Sequence, residues 1–319
     1  IAMIDFRSNI EQVYKRSNPH IRHTPLEHSP YLSNLASANV FLKLDNIQKT
    51  GSFKFRGAIS KMTSMSDQEK SNGVVTASTG NHGAACSLAM STLQIKGKIV
   101  VPENVHKNKV ENILNLGGEV EYYGDDCIDA EERAQEISKT TGATYISPYN
   151  DEAIVCGQGT MGLEIWEDLK GVDAVFISVG GGGLISGVGG YLKSMNESIQ
   201  VYGVSPEKSC VMYESLKAGK QLDLPSEPTL SDGTAGGVEF GSMTFEMCKE
   251  IIDDFSIVSE GEIAKGIQIG VEKHHQLIEG AAGTAIAGFM KQKDKFKDKT
   301  VVLVMCGGNI SGAVLKSVF

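Results

Sequence analysis

Asp173-Ala174-Val175-Phe176-Ile177-Ser178-Val179 runs without a spacer into Gly180-Gly181-Gly182-Gly183. A short, continuously apolar and β-branched run of this kind reads as a strand buried on both faces of a parallel sheet. A helix is expected to follow, from about Leu184 to Met195. Strand, glycine turn and helix form the repeating unit of parallel α/β architecture. Strand-like runs at Val74–Ala77, Ile95–Val101, Val120–Tyr123, Gln200–Val204 and Val301–Met305 alternate with helical patterns in the same way. The fold class read from the sequence is therefore α/β.

The glycine run also carries chemistry. Residues without Cβ atoms let successive N–H groups converge on an anion, and the positive end of the following helix adds to the attraction, so Gly180, Gly181, Gly182 and Gly183 suit a phosphate. A dinucleotide fingerprint wants a further glycine three residues on, and counting from Gly182 or Gly183 reaches Ile185 or Ser186. The strand near Gln200–Val204 ends at Ser205, not at the acid that would hold a ribose, although Glu207 is close. A nicotinamide dehydrogenase is thus the weaker reading. In Ser52-Phe53-Lys54-Phe55-Arg56-Gly57-Ala58, reached through Lys49-Thr50-Gly51, a lysine stands between two phenylalanines after a glycine turn. Apolar flanks desolvate an ammonium, lower its pKa and raise the share of free amine able to form a Schiff base. One cofactor uses both a phosphate cradle and a reactive amine: pyridoxal 5′-phosphate.

Two further segments fit. Gly73-Val74-Val75-Thr76-Ala77 leads into Ser78-Thr79-Gly80-Asn81-His82-Gly83 ahead of an apolar helix, which gathers hydroxyls, an amide and N-terminal N–H groups suited to a carboxylate, or else caps the helix through Ser78 or Thr79. Val301-Val302-Leu303-Val304-Met305 delivers Cys306-Gly307-Gly308-Asn309. With Gly157-Gln158-Gly159-Thr160, these motifs follow one another in an order that resembles the serine/threonine dehydratase and serine racemase family of pyridoxal-phosphate enzymes, of the tryptophan synthase β-subunit fold (fold type II). The resemblance covers nearly the whole chain.

It implies that Lys54 is the Schiff-base lysine, that Phe53 packs beside the cofactor ring, and that Asn81 bonds the ring's phenolic oxygen. Gly180 to Gly183 with Leu184 would hold the phosphate, Cys306 would face the pyridine nitrogen, and Gly233 would lie in the loop on the other side of the pocket. Ser78, Thr79 and the amides around Asn81 and His82 would take the substrate carboxylate. A neutral thiol at Cys306 makes a weak electron sink, which favours β-elimination from L-threonine, L-serine or 3-hydroxyaspartate over transamination. The family's racemases place a serine where Thr79 stands, so racemisation is the alternative, with Thr79 as the second proton carrier. The divalent-cation site of racemase-like members is expected to be missing, since this chain has Ser205-Pro206 followed by Val211. By analogy, residues 73–149 form a smaller mobile domain, and residues 1–72 with 150–319 form the larger cofactor-binding one. A homodimer is expected from the family.

Composition narrows the setting. The 319 residues suffice for two subdomains that share a cleft. A formal net charge of -9 argues against nucleic acid or anionic membranes as partners, and the acidic stretch from Asp125 to Glu136 reads as a solvated helix face. Apolar runs are too short to span a membrane. Six cysteines without paired or metal-like spacing fit a reducing, cytoplasmic setting, and no signal peptide is visible. The chain ends at Phe319, which leaves no room for a regulatory extension, so control by an end-product amino acid is not expected. A catalytically dead binding module is the remaining alternative; it would hold cofactor yet yield no oxo acid.

Overall fold

The computed structural model describes residues 4–105 and 107–319. Its strands are β1 (Leu26–His28), β2 (Asn39–Leu44), β3 (Val74–Ala77), β4 (Gly97–Val101), β5 (Glu119–Tyr122), β6 (Thr144–Tyr145), β7 (Ala174–Ser178), β8 (Gln200–Pro206), β9 (Asp254–Val258) and β10 (Thr300–Met305). One sheet has six strands in the order β1-β2-β10-β7-β8-β9, and the other has four in the order β5-β4-β3-β6. Every pairing is parallel except that of β1 with β2. The helix after the glycine run spans Gly183–Met195, one residue earlier than expected.

β10, last in the chain, lies between β2 and β7, with Val301 opposite both Val40 and Ala174. The carboxyl ends of parallel strands in such open α/β sheets are where ligands bind. β7 is buried along its whole length, as a strand covered on both faces must be. Phe176 stacks on Tyr202 at 4.6 Å and meets Phe289 and Phe296 edge-on in the core of the larger sheet. A second core lies on the smaller sheet, where Val74, Ile99 and Val101 pack with Ala85 and Ala89 and with Phe55, Ile59 and Met62 of the helix Lys54–Ser64.

The Gly157-Gln158-Gly159-Thr160 motif belongs to helix packing. A Cβ at Gly157 would lie 2.6 Å from the Arg56 carbonyl oxygen, and one at Gly187 would lie 2.6 Å from the Gly159 nitrogen. The helix Glu152–Asp168 is therefore in backbone contact with both the lysine-bearing helix and the helix after the glycine run. Beneath Lys54, Arg56 is fully buried and donates to Asp45 Oδ2 at 2.7 Å through Nε and to Glu164 Oε1 at 2.7 Å through Nη1. Lys43 Nζ reaches Glu164 Oε2 at 2.7 Å, and Thr24 Oγ1 donates to Asp45 at 2.6 Å. Burial alone would raise the Glu164 carboxyl, but Arg56 and Lys43 outweigh it and hold Glu164 below the usual carboxylate range.

Candidate active site

Lys54 is held by its neighbours in sequence. Phe53 N–H donates to the Cys306 carbonyl at 2.9 Å, Ser52 bridges Gly307, and Gly308 N–H donates to the Gly51 carbonyl at 2.8 Å. The lysine motif is thus zipped to the segment leaving β10, and Lys54 opens the helix Lys54–Ser64 pointing into a cleft of about 700 Å³ between the two sheets. Its Nζ donates to the Pro148 carbonyl at 2.9 Å and sits 5.2 Å from the centre of the Phe53 ring. Phe55 does not flank it. Successive helical residues point about 100° apart, so Phe55 turns into the core of the smaller sheet and is fully buried there. Burial pulls the Lys54 amine from 10.5 down to about 8, against the opposing pull of Glu279.

The same cleft is lined by Phe53, Ser78, Thr79, Asn81, His82, Gly180 to Gly183, Leu184, Gly233 and Cys306, every position singled out from the sequence. Gly182 caps the helix Gly183–Met195 at φ +85° with no side-chain hydrogen bond. The first bond of that helix runs from Ser186 N–H to the Gly182 carbonyl at 3.0 Å, which leaves the N–H groups of Gly183, Leu184 and Ile185 ahead of it as free donors. Cβ atoms at Gly180 and Gly181 would lie 2.8 Å from the Thr234 carbonyl oxygen and 2.3 Å from the Tyr149 ring. The turn thus needs bare backbone, and its free donors match a phosphate.

The helix Asn81–Leu93 begins in the same fashion. Gly80 is its N-cap and makes no side-chain cap bond, so neither Ser78 nor Thr79 caps it. Ser78 Oγ accepts from Gly80 N–H at 3.2 Å, and Asn81 and His82 of the first turn line the cleft together with Ser78 and Thr79. The His82 ring is turned inward: Nε2 lies 3.0 Å from the Ile146 carbonyl, and burial, with Lys54 nearby, lowers its pKa to about 3. Histidine at this place is neutral and occupied, so what residue 82 can offer a ligand is its backbone N–H. At the far end, Cys306 Sγ sits 3.5 Å from Ser178 Oγ. Burial, and then Glu279, push its thiol well above the usual range, so it carries no charge.

Two residues escaped the sequence reading. Tyr149 packs its ring over Gly181 and accepts from Glu239 N–H at 2.8 Å. Glu279 is a buried acid in the cleft that accepts from Asn81 Nδ2 at 2.9 Å. Neither belongs to a recognisable spacing, although Glu279 stands directly before the Gly280 of an apolar helix, which is a weak pointer to an inward-facing acid. Among the described residues no cluster of His, Cys, Asp and Glu could hold a metal ion.

These residues fit pyridoxal phosphate: a reactive amine, a phosphate cradle of unpaired N–H groups and a neutral thiol share one cavity. The family model for pyridoxal-phosphate dependent enzymes matches residues 17–307. The chain is similar to an L-threonine ammonia-lyase of Thermotoga maritima, 41% identical over 290 residues covering 91% of this chain and 72% of that protein. It is also similar to the catabolic L-threonine dehydratase of Escherichia coli, 38% identical over 95% of this chain and 92% of that one. In structure it resembles maize serine racemase, with a TM-score of 0.92 at 30% identity over 97% of this chain and 95% of the other.

Proposed function

The chain belongs to the pyridoxal-phosphate-dependent enzyme family, and we propose that within it the protein is a threonine and serine ammonia-lyase, converting a 3-hydroxy amino acid to a 2-oxo acid and ammonia. The observation that carries this reading is the Lys54 amine, brought to about 8 in the cleft that also holds the free N–H groups of the glycine run. The relatives named for L-threonine support the substrate.

When bound, pyridoxal phosphate supplies an aldehyde that captures an amino group and a ring that withdraws electrons from Cα. The N–H groups of Gly183, Leu184 and Ile185 and the loop before them would hold its phosphate, and Phe53 would pack beside its ring. Ser78, Thr79 and the N–H groups at the start of the helix Asn81–Leu93 hold the substrate carboxylate. Lys54 Nζ takes the Cα proton; an amine near 8 is a base matched to neutral pH. Uncharged Cys306 brings no counter-charge to the ring, and this favours prompt departure of the β-hydroxyl. The Cα–H and Cβ–O bonds break, the hydroxyl and the Cα proton leave together as water in net, and the released enamine takes up a water outside the cleft to give the oxo acid and ammonia. We read residues 73–149 as the unit that closes the carboxylate motif over substrate and excludes water. A cluster of Val75, Val100, Ala130, Ala134 and Ala143 lies wholly within that unit and supports the division, while Phe55, Ile59 and Met62 of the helix Lys54–Ser64 also pack on the smaller sheet. We also read the protein as a cytoplasmic homodimer; the six free cysteines fit a reducing compartment, and no helix among the described residues is long and apolar enough to cross a membrane.

A panel of β-hydroxy amino acids, assayed for ammonia and for the chirality of the amino acid left behind, tests the reading. L-threonine and L-serine should release ammonia with a matching 2-oxo acid; coloured protein that releases none would reduce it to a binding module. Serine racemisation is the second reading, favoured by the Thr79 hydroxyl in the cleft and the likeness to maize serine racemase. Thr79→Ala should weaken elimination only through looser carboxylate binding, seen as a higher KM with kcat kept, and should abolish racemisation; equal loss of both in kcat would assign the hydroxyl to binding alone.

A further inference from the structure

Glu279 sits where the sequence motifs meet. It accepts from Asn81 Nδ2 at 2.9 Å and 3.1 Å through its two oxygens, and from Asn309 N–H at 3.1 Å, while its own N–H donates to the Gly307 carbonyl at 3.0 Å. Asn309 Nδ2 donates to Asn81 Oδ1 at 2.7 Å and to the Thr50 carbonyl at 2.8 Å. Glycines keep the space open. A Cβ at Gly307 would lie 2.6 Å from the Glu279 carboxyl, one at Gly233 3.2 Å from Oε1, and one at Gly51 would press on Asn309 Oδ1. The lysine motif, the carboxylate motif, the Asp232-Gly233-Thr234 loop and the Cys306-Gly307-Gly308-Asn309 turn therefore converge on this one carboxyl group.

The network fixes which end of the Asn81 carboxamide is which. Its oxygen faces a donor on Asn309 and its nitrogen an acceptor on Glu279, so a flipped amide would face donor to donor and acceptor to acceptor. We propose that Glu279 is a positioning residue of the reaction: with Asn309, it orients the Asn81 side chain across the boundary between the two sheets, one Nδ2 hydrogen shared by the two Glu279 oxygens, so that the other Asn81 N–H is presented to the cofactor ring. This rests on Asn81 as a ring contact. Glu279 is nearly inaccessible at 4% exposure. Burial raises its pKa from 4.5 to about 7; the bonds from Asn81 and Asn309 and the Lys54 charge oppose that rise, and Asp232 reinforces it. The groups facing it are thus Asn81, Asn309, Asp232 and Lys54, with the uncharged Cys306 thiol nearby. A carboxyl so placed changes its charge across neutral pH, and the bond to Asn81 is stronger when it is ionised.

The test is a double-mutant cycle of Asn81→Ala and Glu279→Ala, read as pyridoxal phosphate affinity by titrating cofactor-free protein. Each single variant should bind about tenfold more weakly, and the double variant no more weakly than the worse single one. Glu279→Gln, which keeps shape and an acceptor but not the charge, should bind cofactor yet lose the change in its absorbance between about pH 6 and 8. Losses that multiply in the double variant, or a Gln variant with the parent's pH-dependent spectrum, would overturn the proposal. Should Glu279→Ala not fold, Asn309→Ala takes its place in the affinity cycle with Asn81→Ala, and Glu279→Gln keeps the spectral readout. Failure of the ammonia-lyase reading would appear as coloured protein without oxo acid and would leave this cycle untouched.

Discussion

Replacing Lys54 with methionine should stabilise the cofactor-free protein at neutral pH, although it removes the reactive group. The Lys54 amine falls from 10.5 to about 8 because burial disfavours its charged form. A difference of that size corresponds to about 3 kcal/mol of penalty on the folded state wherever the lysine is protonated both folded and unfolded. The penalty is full below about pH 8 and fades as the pH rises towards 10.5, where both states are neutral. Water in the open cleft reduces it, and the substitution strands the Pro148 carbonyl that Nζ now satisfies at 2.9 Å, at a cost of about 1 kcal/mol. The net expectation for Lys54→Met is a gain of about 1 to 2 kcal/mol near pH 7 that vanishes near pH 10. Urea denaturation of the cofactor-free parent and variant at the two pH values measures it. A Met variant less stable than the parent near pH 7, or a gap independent of pH, would refute the burial argument for the amine.

Arg56→Met should cost about 3 to 5 kcal/mol in the same denaturation assay, since it leaves Asp45 and Glu164 buried with only Lys43 and Thr24 to answer them; a loss under about 1 kcal/mol would show that water reaches the network. Gly181→Ala should weaken pyridoxal phosphate binding by about tenfold or more, because its methyl would lie 2.3 Å from a Tyr149 ring that is itself pinned through Glu239. Unchanged affinity in a titration would mean that the loop can shift without loss of its N–H array.

The sequence made the framework legible where one physical signal dominated. β7 and β10 are continuous apolar runs, and each ends in glycines that demand bare backbone, so strand, turn and helix could be placed within a residue or two. β2 was not legible, because Lys43, its penultimate residue, reads as a surface residue. Only the fold brings Glu164 to it from the helix Glu152–Asp168. β1 and β6, of three and two residues, are too short for any period to register. Within the cleft, motif residues were visible because turns and phosphate cradles impose residue types at fixed spacing. Glu279 and Tyr149 were not, since their roles arise from glycines distant in the chain that make room for them. The lysine was read correctly as desolvated but for half the wrong reason: Phe53 lies beside its amine, and Phe55 faces another core.

The central claim is that the Lys54 amine is the group that captures pyridoxal phosphate. Reduction of the yellow holoprotein with borohydride, followed by mass mapping of its peptides, tests it directly. A phosphopyridoxyl group is expected on the peptide carrying Lys54, with no such label when Lys54→Met protein is treated in the same way. Label on a different lysine, or undiminished label in the Met variant, would contradict it.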